Sequence, residues 1–451
     1  MAKRWAIQVC IMMLSVNVAI AAGSHEGRIK GPFESGPEVT RECLKCHGKQ
    51  ATDFMKTAHW TWSEKQAVPG KRKGKVELGK KNAINNFCLA LASNWPRCTS
   101  CHAGYGWKDD SFDFSKAENI DCLVCHDTTG SYKKKPTGAG APDNSVDLLK
   151  VAQSVGKTSR KSCGACHFYG GGGDHIKHGD LDTTMTAPKR DYDVHMGTDG
   201  SNMACTDCHK GKNHSVRGES LAVSLGAGAR VSCTDCHKKA PHKDAGLNRH
   251  AKRVDCATCH VPTFAKTLPT KVWWDWSKAG ETREAAKDAN GMATYDKMKG
   301  EFRWEKDVVP TYAWFNGSLS RYEFGDKIDP SKPTFLNRPS GSRKDPKARI
   351  TPFKLMRGKQ PYDADNKYFV VPHLFGGYWK HYDWKKAIAD GMKAAGKPFS
   401  GNYGFAETAM YWRVNHMVMP KEKALGCTDC HGDKGRLDWK ALGYPGDPKK
   451  K

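Results

Sequence analysis

The chain has 451 residues, 38% of them hydrophobic, and a formal net charge of +25. That apolar supply is thin for a conventional core of this size, so something besides apolar side chains is expected to fill the interior. Past the first 22 residues no stretch supplies the roughly 18 uncharged apolar residues of a membrane helix, which excludes a span in the mature chain.

The N-terminus reads as an export signal. Lys3 and Arg4 precede an apolar run from Trp5 to Ile20, and small residues follow at Ala21, Ala22 and Gly23. Residues 1–22 are therefore expected to be removed and the mature chain to be periplasmic. An exported chain makes nucleic acid a poor partner for the positive charge.

Export and eighteen cysteines would ordinarily suggest disulfides. The spacing points elsewhere. Cys-x-x-Cys-His occurs eight times, as Cys43/Cys46/His47, Cys98/Cys101/His102, Cys122/Cys125/His126, Cys163/Cys166/His167, Cys205/Cys208/His209, Cys233/Cys236/His237, Cys256/Cys259/His260 and Cys427/Cys430/His431. Each copy offers two thiols to the vinyl groups of one haem and an imidazole to its iron. A single copy would leave zinc or a redox dithiol open, but eight copies each followed by His do not. Eight covalent haem c groups are expected, and their propionates would offset much of the basic excess.

Nineteen histidines leave eleven outside the motifs: His25, His59, His175, His178, His195, His214, His242, His250, His373, His381 and His416. A second axial imidazole on each iron would make low-potential centres. His214 and His242 each lie five residues beyond a motif histidine, a reach of at most about 17 Å. Each is expected to cap a neighbouring haem rather than its own.

Seven motifs fall within 23–265, a haem-rich region of Gly-, Lys-, Asp- and Thr-rich loops and short helices. Residues 266–451 form a second part: an insert holding Trp273, Trp274, Trp276, Trp304, Trp314, Trp379, Trp384 and Trp412, then the last haem. Trp384–Ala395 and Ala406–Met417 read as helices, and Pro445–Lys451 as a disordered basic tail. The predicted fold is mainly α with extensive loops wrapped around eight haems and little or no β-sheet.

Two places differ from a plain conduit. Cys88, in Asn85-Asn86-Phe87-Cys88, is the mature cysteine outside any motif; it reads either as a small buried hydrophobe or as a functional thiol. Gly170–Gly173 leads into Asp174-His175-Ile176-Lys177-His178. Four glycines allow close backbone approach to a flat cofactor. From the residues alone Lys177 reads as a solvated lysine, because an amine binds iron only when neutral.

With these residues in view, the sequence resembles the octahaem tetrathionate reductase family, relatives of the hydroxylamine oxidoreductases. The resemblance spans nearly the whole mature chain, through GPFESGPEVTRECLKCH (31–47), TAHWTW (57–62), LGKKNAINNFC (78–88), RCTSCHAGYGWKDDSFDF (97–114), GGGGDHIKHGDL, DYDVHMG, NRHAKRVDCATCHVP, EFRWEKDVVPTYAWFNG (301–317) and VNHMVMPKEKALGCTDCH. It implies seven bis-histidine haems and one active-site haem on Cys98/Cys101, with Lys177 as an iron ligand and Asn85 and Cys88 lining the pocket. It also implies second ligands at His59, His178, His195, His214, His242, His250 and His416. His175, His373 and His381 are left over, and Asp296 stands in for the family's acidic pocket residue. The implied activity is two-electron reduction of tetrathionate, with nitrite and hydroxylamine as further substrates. Electrons would come from a partner cytochrome or a quinol-linked donor. A non-catalytic electron-transfer cytochrome and a hydroxylamine oxidoreductase are the competing readings.

Overall fold

A computed structural model describes residues 25–68, 71, 74–87, 89–170, 172–218 and 230–450. The expected export signal with Cys10, and Cys88, lie outside the described residues. Among the described residues no helix is long and apolar enough to cross a membrane.

The first half is built as expected from loops and short helices. The longest helix, Gly36–Phe54, carries the first motif. It packs Val39 against Leu123, Leu148, Val151 and Ala152 in a small separate core. Arg160–His167 carries the fourth motif and opens with a capping box between Ser159 and Ser162.

The second half overturns the expectation of little or no β-sheet. Eight strands between Thr270 and Arg413 form one mixed sheet. Its axis is the fifteen-residue strand Arg349–Asp363. That strand pairs antiparallel with Tyr403–Arg413 along its length, antiparallel with Thr311–Phe315 at its start, and parallel with Thr270–Asp275 at Arg357–Lys359. The stretch expected to be helical from Ala406 is thus mostly strand. Ala, Glu and Met favour helix there, but eleven residues of ladder pairing and burial against Arg349–Asp363 outweigh local propensity.

The central strand also hides its nature behind breakers. Pro361 is tolerated because the parallel partner stops opposite Lys359. Gly358 is required by crowding: a Cβ there would sit 2.9 Å from the Trp274 carbonyl oxygen and 3.4 Å from that of Asn86.

Trp384–Ala394 is helical as predicted, N-capped by Asp383 accepting from Lys386 N. It buries Ala387, Ile388 and Met392 against the sheet core with Trp274, Trp276 and Met410. The C-terminal tail is anchored rather than loose, for Asp447 accepts from Gly432 N at 2.6 Å and contacts His431 Nδ1 at 2.6 Å.

Candidate haem-binding and catalytic site

The motifs share a local design. Two cysteines three apart project from the same side of one helical turn. In three copies the sequence is Cys-Thr-Asp-Cys, and the internal aspartate reaches back to the amide preceding the first cysteine. Asp207 accepts from Ala204 N at 2.7 Å, Asp235 from Ser232 N at 3.1 Å and Asp429 from Gly426 N at 2.7 Å. This closes the turn and fixes the thiol spacing. All sixteen motif cysteines are unbridged.

Cys46 and Cys236 show that enclosure varies among the motif thiols. Both are exposed, whereas Cys98 and Cys101 of the second motif are half-buried. Cys46 lies in a solvent-facing run of the helix Gly36–Phe54, one residue before the backbone departs from helical geometry at His47 (φ −111°, ψ 28°). Cys236 falls just beyond the helical turn Cys233–Asp235, at φ −121° and ψ −36°, so its Cα–Cβ bond is not set by that turn as in the helical motifs. The partner thiols differ too: Cys43 is half-buried and Cys233 exposed. The sixth motif therefore holds both cysteines at the surface, while the first and the eighth each expose one, Cys46 and Cys427.

Seven motif histidines each face a histidine from elsewhere. Ring centroids are 6.0 Å apart for His47 and His25, 6.3 Å for His167 and His59, and 6.4 Å for His126 and His214. They are 6.1 Å apart for His237 and His195, and 6.3 Å for His209 and His416, His260 and His242, and His431 and His250. This spacing leaves a gap between the rings. Two metal–imidazole bonds of about 2.0–2.1 Å, plus about 1.1 Å from nitrogen to each ring centre, give about 6.2–6.4 Å. The pairs therefore fit an iron held between two imidazoles.

His214 stands opposite His126, and His242 opposite His260, so neither faces the motif histidine five residues before it. His25, which is not among the expected second ligands, completes the seventh pair. The His178 ring instead lies 5.2 Å from the Trp412 ring and is not among the seven pairs.

Several paired rings are oriented through Nδ1. That atom faces Gly156 O in His126 (2.8 Å), Arg217 O in His209 (2.9 Å) and Gly246 O in His250 (3.0 Å). Carboxylates do the same for His416 (Asp180, 3.2 Å) and His431 (Asp447, 2.6 Å). Each contact leaves Nε2 for a metal. Asp180 is buried, yet donors from His416 and Asn415 hold its carboxyl far below the usual range against the upward push of burial.

The second motif is arranged differently. His102 is fully buried, and its Nε2 lies 2.7 Å from the Trp60 carbonyl oxygen. Its ring is boxed by Trp60, Trp62 and Trp107 at 4.9–5.3 Å, with Phe112 at 5.7 Å and Phe114 at 6.3 Å. Burial pulls its pKa down to about 3, although the Trp60 carbonyl opposes this. The ring is thus neutral and Nε2–H donates to Trp60. The Nε2 atom, which the Nδ1 contacts of His126, His209 and His431 leave open, here meets the Trp60 carbonyl.

Lys177 lies in the loop after the fourth motif. Its Nζ is 5.3 Å from the Trp412 ring centre. A Cβ on Gly170 would come within 2.9 Å of Lys177 Cδ and 3.4 Å of Nζ, so the glycine makes room for this side chain. A cavity of about 1430 Å³ is lined by Cys98, Cys101, Asn85, Gly170, Trp274 and Trp276 among others. Its wall holds Lys80, Arg97, Lys133, Lys134, Lys157, Arg160, Lys161 and Lys299, against the single carboxylate of Asp127. Asn85 Oδ1 accepts from Phe87 N at 3.1 Å.

Asp296 does not line this cavity; it pairs with Lys299 Nζ at 2.9 Å. His175 turns Nδ1 to the Pro269 carbonyl, His373 to Ser93 O at 2.8 Å, and His381 Nδ1 accepts from Asp383 N.

The chain is similar to a solved crystal structure, the octahaem cytochrome c from Shewanella oneidensis. The two are 51% identical, with the match covering 95% of this chain and 98% of that one at a TM-score of 0.91. This chain belongs to the multihaem c-type cytochromes. Residues 271–434 match the family model "Cytochrome c bacterial", and residues 182–268 match "Cytochrome c7 and related cytochrome c". An uncharacterized protein from Archaeoglobus fulgidus is 26% identical over 282 residues, 49% of this chain and 93% of that protein.

In this cytochrome the motifs touch one another. Thiols of different motifs are close enough to shift one another's titration between Cys43 and Cys122, Cys101 and Cys166, Cys163 and Cys205, and Cys233 and Cys256, and Cys166 Sγ lies 3.6 Å from Cys101 O. Motif one thus abuts three, two abuts four, four abuts five, and six abuts seven. The cavity lined by Cys98, Cys101 and Cys166 sits at the second of these junctions.

Proposed function

We propose that this cytochrome carries eight haems and is an exported periplasmic reductase, cleaving tetrathionate to two thiosulfates beside Lys177. The observation that carries the reading is the exception among the motifs. Seven motif histidines have imidazole partners, whereas His102 gives Nε2 to Trp60 next to a basic cavity and a lysine held in a glycine cradle.

When bound, the haems supply electrons one at a time and store more than one. The remaining work falls to side chains. Lys177 would supply a nitrogen ligand to the haem held by Cys98 and Cys101, and would have to do so as a neutral amine. The basic wall of the cavity draws in the dianion. Asn85 orients a sulfonate oxygen through its amide.

Cys88 attacks as a thiolate. It displaces one thiosulfate from the central S–S bond and keeps the other as a mixed S–S adduct. Two electrons then break that bond, releasing the second thiosulfate and restoring the thiolate. Nitrite and hydroxylamine would use the same cavity without Cys88. The donor is a small cytochrome or a quinol-linked protein.

The test is anaerobic turnover with a reduced low-potential dye on tetrathionate, nitrite and hydroxylamine, and with an oxidised dye on hydroxylamine. Tetrathionate reduction lost in Lys177→Ala supports the proposal. No reduction of any of the three defines a pure electron carrier, and turnover only in the oxidising direction defines a hydroxylamine oxidase. Loss confined to tetrathionate in Cys88→Ala assigns the thiol its sulfur chemistry.

A further inference from the structure

The Lys177 loop follows four glycines, and nothing in its own sequence would hold it still. Its main chain is nevertheless held by a residue nearly two hundred positions away. Lys354, on the central strand Arg349–Asp363, is 1% exposed. Its Nζ donates to Ile176 O at 2.6 Å, Lys177 O at 3.3 Å and Thr270 Oγ1 at 2.6 Å. An ammonium has three protons, and here each finds an acceptor.

Thr270, on the neighbouring strand Thr270–Asp275, extends the grip. Its hydroxyl donates to His175 O at 2.7 Å and also reaches His178 O at 3.5 Å. Two side chains of one sheet therefore address four successive carbonyls, from 175 to 178. Packing alone would not require this, because an apolar side chain fills the same volume without desolvating a charge.

The surroundings are cut to fit. A Cβ on Gly179 would lie 3.3 Å from Lys354 Cδ and 2.3 Å from Phe264. Lys354 stands in register with Trp412, whose ring faces both Lys177 Nζ and His178. Burial pulls the Lys354 amine down to about 7, and the buried carboxylate of Asp180, which holds His416, opposes that fall.

We infer that Lys354, with Thr270 as its partner, is a positioning residue that sets the backbone of the Lys177 loop and so the approach of the Lys177 amine to the second haem. This rests on Lys177 being the ligand proposed above. The sheet is then the jig on which the loop is set.

The experiment uses the purified holoprotein with Lys354→Met, Thr270→Val and Lys177→Ala, all checked for full haem content. The readouts are the near-infrared magnetic circular dichroism of the lysine-ligated haem and its cyanide affinity. Lys354→Met and Thr270→Val should each perturb that one haem and shift its cyanide Kd by about tenfold, the low end for outer-shell changes. The bis-histidine signals should be unchanged. If Lys354→Met does not assemble, Thr270→Val, which is isosteric, carries the test by itself. The inference is overturned if Lys177→Ala alters one haem while the assembled positioning variants leave its spectrum and cyanide binding as in the parent. If Lys177→Ala alters no haem, the ligand assignment itself has failed instead.

Discussion

Replacing His25 with alanine separates the sequence expectation from the geometry. The expectation gave a ligand role to His178, whereas the structure places His25 6.0 Å from His47, close to the spacing for an intervening iron. A methyl group at position 25 cannot bridge that gap. One haem in eight should lose its sixth ligand and become high-spin at room temperature, changing about one-eighth of the haem signal. His178→Ala should leave every haem low-spin that was so before, because its ring meets Trp412 and not a motif histidine. Electron paramagnetic resonance spin counting on both variants, with cyanide titration to count exchangeable irons, reads this out. An unchanged His25→Ala spectrum, or a newly opened haem in His178→Ala, would refute the pairing and the spacing argument behind it.

Other consequences are open to measurement. Asp180→Asn removes the carboxylate from His416 Nδ1, so the potential of that single haem should rise, by about 60 mV for each tenfold loss of ferric stabilisation, in a spectroelectrochemical titration. Raising ionic strength from 0.01 to 0.15 M shortens the screening length from about 30 to about 8 Å. kcat/KM for dianionic tetrathionate should then fall about tenfold, while that for neutral hydroxylamine should hardly move. Phe353 is fully buried on the central strand, and Phe353→Ala should cost about 3–5 kcal/mol in a denaturant titration. Burial pushes the Asp363 carboxyl upward, but hydrogen bonds from Asn366 and Ser400 outweigh this and hold it at about 2. Its folded pKa lies below the unfolded one, so its stabilisation is present above about pH 4 and lost as pH falls towards 2. Asp363→Asn should flatten that acid limb.

The attachment motifs were legible because covalent chemistry demands fixed residues at fixed spacing. Their surroundings were not: Cys46 and Cys236 read like every other motif cysteine, and only the packing around them leaves them exposed. Six of the expected second ligands, His59, His195, His214, His242, His250 and His416, fall in the ring pairs. His25 was not legible, as it stands in a short polar stretch just after the apolar N-terminal run with no pattern of its own. The sheet was obscured because its main strand carries Pro352, Gly358 and Pro361, and its longest partner is rich in helix formers. Strand identity there comes from pairing across 40 to 60 residues, which no local window contains. His102 sits in a motif identical in form to the others; only the aromatic box and the Trp60 carbonyl set it apart. The role inferred for Lys354 had no sequence signal, since a buried lysine looks like any other lysine until its acceptors are seen.

The most direct measurement is a crystal structure of the holoprotein phased at the iron absorption edge. Eight iron peaks should appear, seven midway between the imidazole pairs. The eighth should lie over Cys98 and Cys101, bound by Lys177 Nζ, with His102 still on Trp60 and one axial face free. An eighth iron bound by His102 Nε2 and a second imidazole would contradict the account and leave only a path for electrons.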